Sequence, residues 1–150
     1  MGKMKIMLVD DEERFLKTTS KLIEKKGYGV VTAQSGEEAL EKLKPQNVHV
    51  VILDVKMPGM DGNTTLKAIK TLYPLVEVIM LTGHGTMDSA IDGLKSGAFD
   101  YLVKPADIDD IMEKAREAFE KRHRLEEKIR FAQSKKFMRS PREILKDGNE

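Results

Sequence analysis

The chain has 150 residues, enough for one hydrophobic core of ordinary size and little more. Hydrophobic residues make up 40% and charged residues 34%, the balance of a globular domain and not of a disordered chain. There is no cysteine, which excludes disulfides and thiolate chemistry, and His49, His84 and His123 are too scattered to form a histidine metal cluster.

No apolar stretch approaches the roughly 18 residues of a membrane span, and no signal-peptide pattern opens the chain. A cytoplasmic protein with no membrane contact is the expectation. Net charge is +1 but unevenly spread: residues 1–120 carry 16 basic and 20 acidic side chains, and residues 121–150 carry 10 and 5. The basic tail lacks the aromatic interleaving or groove-reading fold of a nucleic-acid contact and reads as a solvated helix face.

Short continuous apolar runs alternate with segments of helical period. Residues 6–9 read as a first strand. A helix follows with Phe15, Leu16, Thr19, Leu22 and Ile23 on one side, ended by Gly27. Residues 30–33 form the second strand. Ser35 caps a helix carrying Ala39, Leu40 and Leu43, which Pro45 stops. Residues 48–53 are the central strand, and Leu66, Ile69 and Leu72 mark a third helix that ends near Pro74. Residues 78–81 are a fourth strand. Met87, Ala90, Ile91 and Leu94 define a fourth helix ended by Gly97. Residues 101–103 are a fifth strand, and a long helix starts near Asp107.

Strict strand–helix alternation with continuous apolar strands predicts a parallel sheet covered on both faces. The fold class is α/β: a doubly wound, flavodoxin-like, five-stranded parallel sheet of order 2-1-3-4-5 with an extended C-terminal helix. In such folds functional loops lie at the carboxyl ends of the strands. The first strand there runs into Asp10 and Asp11, the third ends at Asp54, the fourth at Thr82 and the fifth at Lys104. Three carboxylates, a hydroxyl and an ammonium therefore share one rim. Clustered carboxylates repel one another by several kcal/mol at an effective dielectric of about 20, which a divalent cation relieves. An all-oxygen donor set favours Mg²⁺ over zinc. A carboxylate beside Mg²⁺ and a lysine is also a plausible nucleophile toward a phosphoryl group. Pro58, Gly59 and Gly62 turn the chain quickly after Asp54 and keep bulk away from the rim.

The segments LVDDE, ILDVKMPGMDG, LTGHG and GAFDYLVKP, spread in order through residues 5–105, resemble the receiver domain of two-component response regulators. The last two look most like receivers of the nitrogen-regulation type, which activate enhancer-dependent transcription. The resemblance implies that Asp54 is the phosphoacceptor, served by a sensor histidine kinase, a histidine phosphotransfer protein or a small phosphodonor. Asp10 and Asp11 would hold Mg²⁺ with Asp54 and the backbone carbonyl of Lys56. Thr82 and Lys104 would contact the phosphoryl group, and Thr82 with Tyr101 would form the switch. The signal would leave through the face of the fourth helix, fifth strand and fifth helix. The Lys104–Pro105 peptide is typically cis in the family. Lys56 and His84 flank the site as tuning positions or as plain surface residues. Ala106 stands where the family often has Phe. Such a domain is a signalling phosphoacceptor, not a turnover enzyme; it catalyses only its own phosphorylation and dephosphorylation.

Other readings share parts of this pattern. A flavodoxin-like cofactor binder needs a first loop that cradles phosphate, whereas Asp10-Asp11-Glu12-Glu13 repels it without a metal. An Mg²⁺-dependent aspartyl-phosphate phosphatase usually has an acid two residues after its nucleophile, where this chain has Lys56. A receiver-like module that docks without being phosphorylated is a third alternative.

In the last helix, Ile108, Ile111, Ala115, Ala118, Arg122, Leu125, Ile129 and Ala132 follow a heptad seam with one basic interruption, Arg122. The predicted organisation is a receiver over 1–120, a helical extension over 121–133 that serves as a two-stranded coiled coil or a signalling linker, and a flexible basic tail over 134–150; in the coiled-coil reading two copies pair through the fifth helix and its extension. Contact with DNA is expected only through an output domain outside this chain.

Overall fold

A computed structural model describes residues 3–138. In chain order the elements are β1 (Lys5–Val9), α1 (Glu13–Lys25), β2 (Gly29–Ala33), α2 (Gly36–Leu43), β3 (Val50–Asp54), α3 (Gly62–Leu72), β4 (Glu77–Thr82), a single 3₁₀ turn (His84–Thr86), α4 (Met87–Lys95), β5 (Asp100–Val103) and α5 (Ile108–Met138). The strands form one parallel sheet of order β2-β1-β3-β4-β5. The predicted fold class holds.

Continuous apolar strands are explained by burial on both faces. Successive side chains of a strand point to opposite sides. Met7, Val9, Val51, Leu53, Val78 and Met80 join one buried cluster, together with Leu43 of α2, Leu66 and Ile69 of α3 and Ala90 of α4. Their alternates Ile6, Leu8, Val50, Ile52, Ile79 and Leu81 join a second, with Leu16 and Ile23 of α1 and Ile111, Met112 and Ala115 of α5. The sheet thus carries three helices on one face and two on the other.

The predicted punctuation is also present. Gly27 and Gly97 take positive φ, +93° and +108°, in the turns that follow α1 and α4. The Ser35 hydroxyl accepts the Glu38 amide at 3.1 Å, capping α2.

Several helix faces differ from the predicted ones. Leu22 and Leu72 point outward, 39% and 61% exposed. Tyr73 packs on the core beyond the end of α3 in place of Leu72. On α4 the inward residues are Ala90 and Gly93, while Ile91 and Leu94 are exposed. Gly93 lets this helix approach closely: a Cβ there would stand 3.2 Å from Met80 Cγ. β3 starts at Val50, not at residue 48, and extends to Asp54.

α5 runs 31 residues, about 45 Å at 1.5 Å per residue. It continues through Met138, past residue 133; the rest of the predicted tail, residues 139–150, lies outside the described residues. The basic interruption at Arg122 is an anchor. Its guanidinium donates to the Val48 carbonyl at 2.9 Å and to Glu126 at 2.6 Å. The neighbouring Lys121 ammonium stands 3.3 Å from the buried Glu77 carboxylate, whose other oxygen lies 3.4 Å from Lys70. Contacts between α5 and the sheet therefore reach past residue 120. Among the described residues no helix is long and apolar enough to cross a membrane.

Candidate functional site

Strand order decides which predicted residues meet. The winding reverses between β1 and β3, the position where doubly wound sheets open a crevice at their carboxyl ends. Val9 pairs with Leu53, so Asp10 and Asp54 are brought side by side. One carboxylate oxygen from each of Asp10, Asp11 and Asp54 lies within 4.8 Å of the other two. Asp10 is fully buried, Asp54 nearly so, and Asp11 is exposed.

Backbone hydrogen bonds fix this rim. The Asp10 amide donates to Ala33 O at 3.1 Å, and the Val55 amide to Leu81 O at 3.1 Å. The Asp10 carboxylate accepts the Glu12 amide at 2.8 Å. Behind Asp54 the chain returns so closely that the Gly62 amide donates to Val55 O at 2.9 Å. A Cβ on Gly62 would lie 2.5 Å from the Asp54 carbonyl oxygen, so only glycine fits. Gly59, with φ +75°, makes the turn between them.

Lys104 directly follows β5 and is joined to Pro105 by a cis peptide, as the resemblance implied. Its amide donates to Thr82 O at 2.6 Å. Its ammonium lies 3.0 Å from Asp10 Oδ2 and 3.3 Å from Asp54 Oδ1, and 5.5 Å from the centre of the Phe15 ring. Burial opposes the charge on Lys104, but the hydrogen bond and charge of Asp10, with Asp54, outweigh it and raise its pKa. Burial pushes the Asp54 carboxyl up to about 6; the charge of Asp10 adds to this, Lys104 counters it, and Asp11 adds a smaller push.

A cavity of about 630 Å³ opens in front of Asp54, lined among others by Asp11, Lys56, Thr86 and Lys104. Lys56 is exposed there. Thr82 is fully buried behind the rim, and its hydroxyl is turned to the Gly83 carbonyl at 3.0 Å and to the Thr86 hydroxyl, not to Asp54. Tyr101 is half-buried on β5 and packs against the first core cluster. The backbone of His84 opens the 3₁₀ turn; its side chain lies outside the described part.

Sequence reasoning missed Thr86 and Glu12. The signal for Thr86 was available: a threonine one residue before a helix, four residues after Thr82. Glu12 lines the cavity and donates its amide to Asp10, a backbone contact that residue type does not disclose.

The donor set fits a hard divalent cation. It is all oxygen, two of its carboxylates are buried, and burial followed by the charge of Asp10 raises the pKa of Asp54. Such a rim can bind Mg²⁺ and present one carboxylate oxygen to a phosphoryl donor.

A parallel doubly wound sheet with an acidic rim and an inward lysine offers oxygen donors for a cation and a positive charge for an anionic group. Residues 6–116 match the family model of the response regulator receiver domain, and the chain belongs to that family. It is similar to the transcriptional regulatory protein ZraR of Escherichia coli strain K12, 37% identical over 121 residues, which covers 81% of this chain and 27% of ZraR. It is also similar to the DNA-binding transcriptional regulator NtrC of Klebsiella pneumoniae, 39% identical over 103 residues, 69% of this chain and 22% of NtrC. The chain thus spans about a quarter of the length of these curated relatives. A receiver domain crystal structure from Clostridium thermocellum superposes with a TM-score of 0.77 at 39% identity, covering 81% of this chain and 98% of that one. The likeness to receivers of the nitrogen-regulation type agrees with the sequence resemblance.

Proposed function

We propose that this receiver accepts a phosphoryl group on Asp54 from the phosphohistidine of a sensor histidine kinase or of a histidine phosphotransfer protein. A carboxylate oxygen of Asp54 forms the new P–O bond, the P–N bond to the donor imidazole breaks, and the imidazole leaves with the bond's electron pair. The observation that carries this reading is the placement of Asp54: a buried carboxylate facing an open cavity, with its neighbours Asp10 and Asp11 on one side and Lys104 at 3.3 Å.

Asp10, Asp11, Asp54 and the Lys56 backbone carbonyl would hold Mg²⁺, which when bound neutralises charge on the transferring group. Lys104 pairs with the phosphoryl oxygens, and Thr82 turns to donate a hydrogen bond to one of them. Tyr101 follows Thr82, and the face of α4, β5 and α5 changes. The added group carries nearly two negative charges at neutral pH, and it shifts a population between two states. Lys56, which lines the cavity, and His84, two residues after Thr82, tune how long the phosphoryl group stays. The protein works as a cytoplasmic phosphoacceptor and not as a turnover enzyme. Two copies pair through α5 and its extension, and any DNA contact belongs to an output segment outside this chain.

The test is incubation with Mg²⁺ and acetyl phosphate, read by intact mass. One phosphoryl adduct is expected, absent without Mg²⁺ and absent in Asp54→Ala. No adduct would favour the docking-module reading; sustained turnover of a phosphomonoester would favour the phosphatase.

A further inference from the structure

The hydroxyl of Thr82 has one proton to give and two lone pairs to offer. In this structure that proton is already committed. Thr82 Oγ1 lies 3.0 Å from the Gly83 carbonyl and in hydrogen-bond contact with Thr86 Oγ1. Thr86 Oγ1 accepts the Gly83 amide at 3.1 Å and lies 3.2 Å from the Gly83 carbonyl. Two hydroxyl protons cannot fill all three contacts; with the hydroxyls bonded to each other, two arrangements remain, each leaving one contact to the Gly83 carbonyl unfilled. Either Thr82 donates to Thr86, which donates to Gly83 O, or Thr86 donates to Thr82, which donates to Gly83 O. In both, Thr82 has nothing left for an oxygen bound at Asp54.

Thr86 is well placed for this role. It lines the cavity in front of Asp54 and immediately precedes α4. Threonine there ordinarily caps the helix by accepting an amide of its first turn. Ser35 and Asp61 do so for α2 and α3, at 3.1 and 2.8 Å. The Thr86 side chain caps no amide of α4; its hydroxyl accepts the Gly83 amide at the start of the 3₁₀ turn and contacts Thr82.

We propose that Thr86 is a positioning residue, a latch whose hydroxyl holds Thr82 turned away from Asp54 until a phosphoryl group competes for it. The proposal rests on the reading of Asp54 as phosphoacceptor. Thr86 sets the threshold: each phosphorylation must break the Thr82–Thr86 contact, so the latch lowers apparent affinity for the phosphoryl state.

The test uses the full chain with Mg²⁺ and beryllofluoride, a phosphoryl mimic, titrated by NMR. Thr86→Val keeps the shape and removes the hydroxyl; Thr86→Ser keeps it. Thr86→Val is expected to bind beryllofluoride about two- to ten-fold more tightly, the range one neutral hydrogen bond supplies. Thr86→Ser should match wild type. In a Thr82→Val background, Thr86→Val should change nothing, whereas a merely structural role would persist. The side-chain rotamer of Thr82 in the mimic-free protein, read from methyl couplings, should redistribute in Thr86→Val. An unchanged rotamer, or unchanged or weaker binding by a folded Thr86→Val, overturns the latch. Wild-type protein that binds no beryllofluoride overturns the phosphoacceptor reading instead, and the rotamer measurement still decides the latch.

Discussion

The Lys104 ammonium reaches 3.3 Å from the carboxylate of Asp54 although β4 lies between their strands. It also touches Asp10, so one cation serves two buried acids. That leaves the site short of positive charge, and Asp54 is pushed up to about 6 by burial and by Asp10.

A raised carboxyl pKa has a definite sign in stability. The folded chain holds the Asp54 proton more tightly than the unfolded chain, so stability falls as pH rises from about 4 to about 6. Above that window Asp54 works against folding. In EDTA at pH 7.5, Asp54→Asn is expected to be more stable than wild type by about 1–3 kcal/mol. The gain should shrink toward pH 4. Urea denaturation at both pH values checks it, and an equal gain at both would contradict the assignment.

Gly62 tests the geometry behind the acceptor. An alanine Cβ would meet the Asp54 carbonyl oxygen at 2.5 Å and Val55 Cα at 2.7 Å, both backbone atoms that cannot swing aside. Gly62→Ala should cost about 2 kcal/mol or more and weaken phosphorylation by displacing the main chain of Asp54. Gly85→Ala, where a Cβ meets nothing within 4 Å, should cost little by the same thermal melt.

His49 gives a second, opposite pH dependence at the far end of the sheet. Its Nδ1 accepts the Lys5 amide at 3.0 Å, and its ring stands edge-on to Phe119. Burial lowers its pKa; Arg122 and Lys5 add to this, and Glu126 opposes it. The folded pKa lies below the unfolded one, so its stabilisation is present above about pH 6.5 and is lost as pH falls through the folded pKa. His49→Gln, whose amide oxygen can accept the same hydrogen bond without titrating, should lose less stability than wild type between pH 7 and pH 5. Parallel curves for the two proteins would remove His49 from the acid response.

The α5 extension carries Leu125, Ile129 and Phe131 beyond the Arg122 anchor, with Ile129 44% and Phe131 70% exposed. If two copies pair there, light scattering should give a dimer for the full chain and a monomer for Leu125→Glu/Ile129→Glu. A monomeric wild type would end the pairing proposal. These substitutions are preferable to a cut at residue 120, which would remove Lys121 and Arg122 and leave the buried Glu77 with less compensation.

Much of this protein was legible before any coordinates. Periodicity identified each strand and α-helix of the described residues but not the 3₁₀ turn, because a residue's preference for a half-buried or fully buried position is written in its side chain. The convergence of Asp10, Asp11, Asp54 and Lys104 on one rim was legible because strand ends in a doubly wound sheet converge, whatever the loops do. Helix facing was less legible: Leu22, Leu72, Ile91 and Leu94 are apolar yet exposed, and Gly93, which the pattern ignored, is the residue that lets α4 close on Met80.

Tertiary structure alone decided where each proton and charge goes. Arg122 looked like a flaw in an apolar seam, but the Val48 carbonyl beneath it makes it an anchor. Thr82 stands out in the sequence at the end of the fourth strand, yet its engagement with Thr86 depends on a turn whose backbone brings two hydroxyls together. A sequence lists donors and acceptors; which of them pair is set by distances of a few ångströms, and those exist only once the chain has folded.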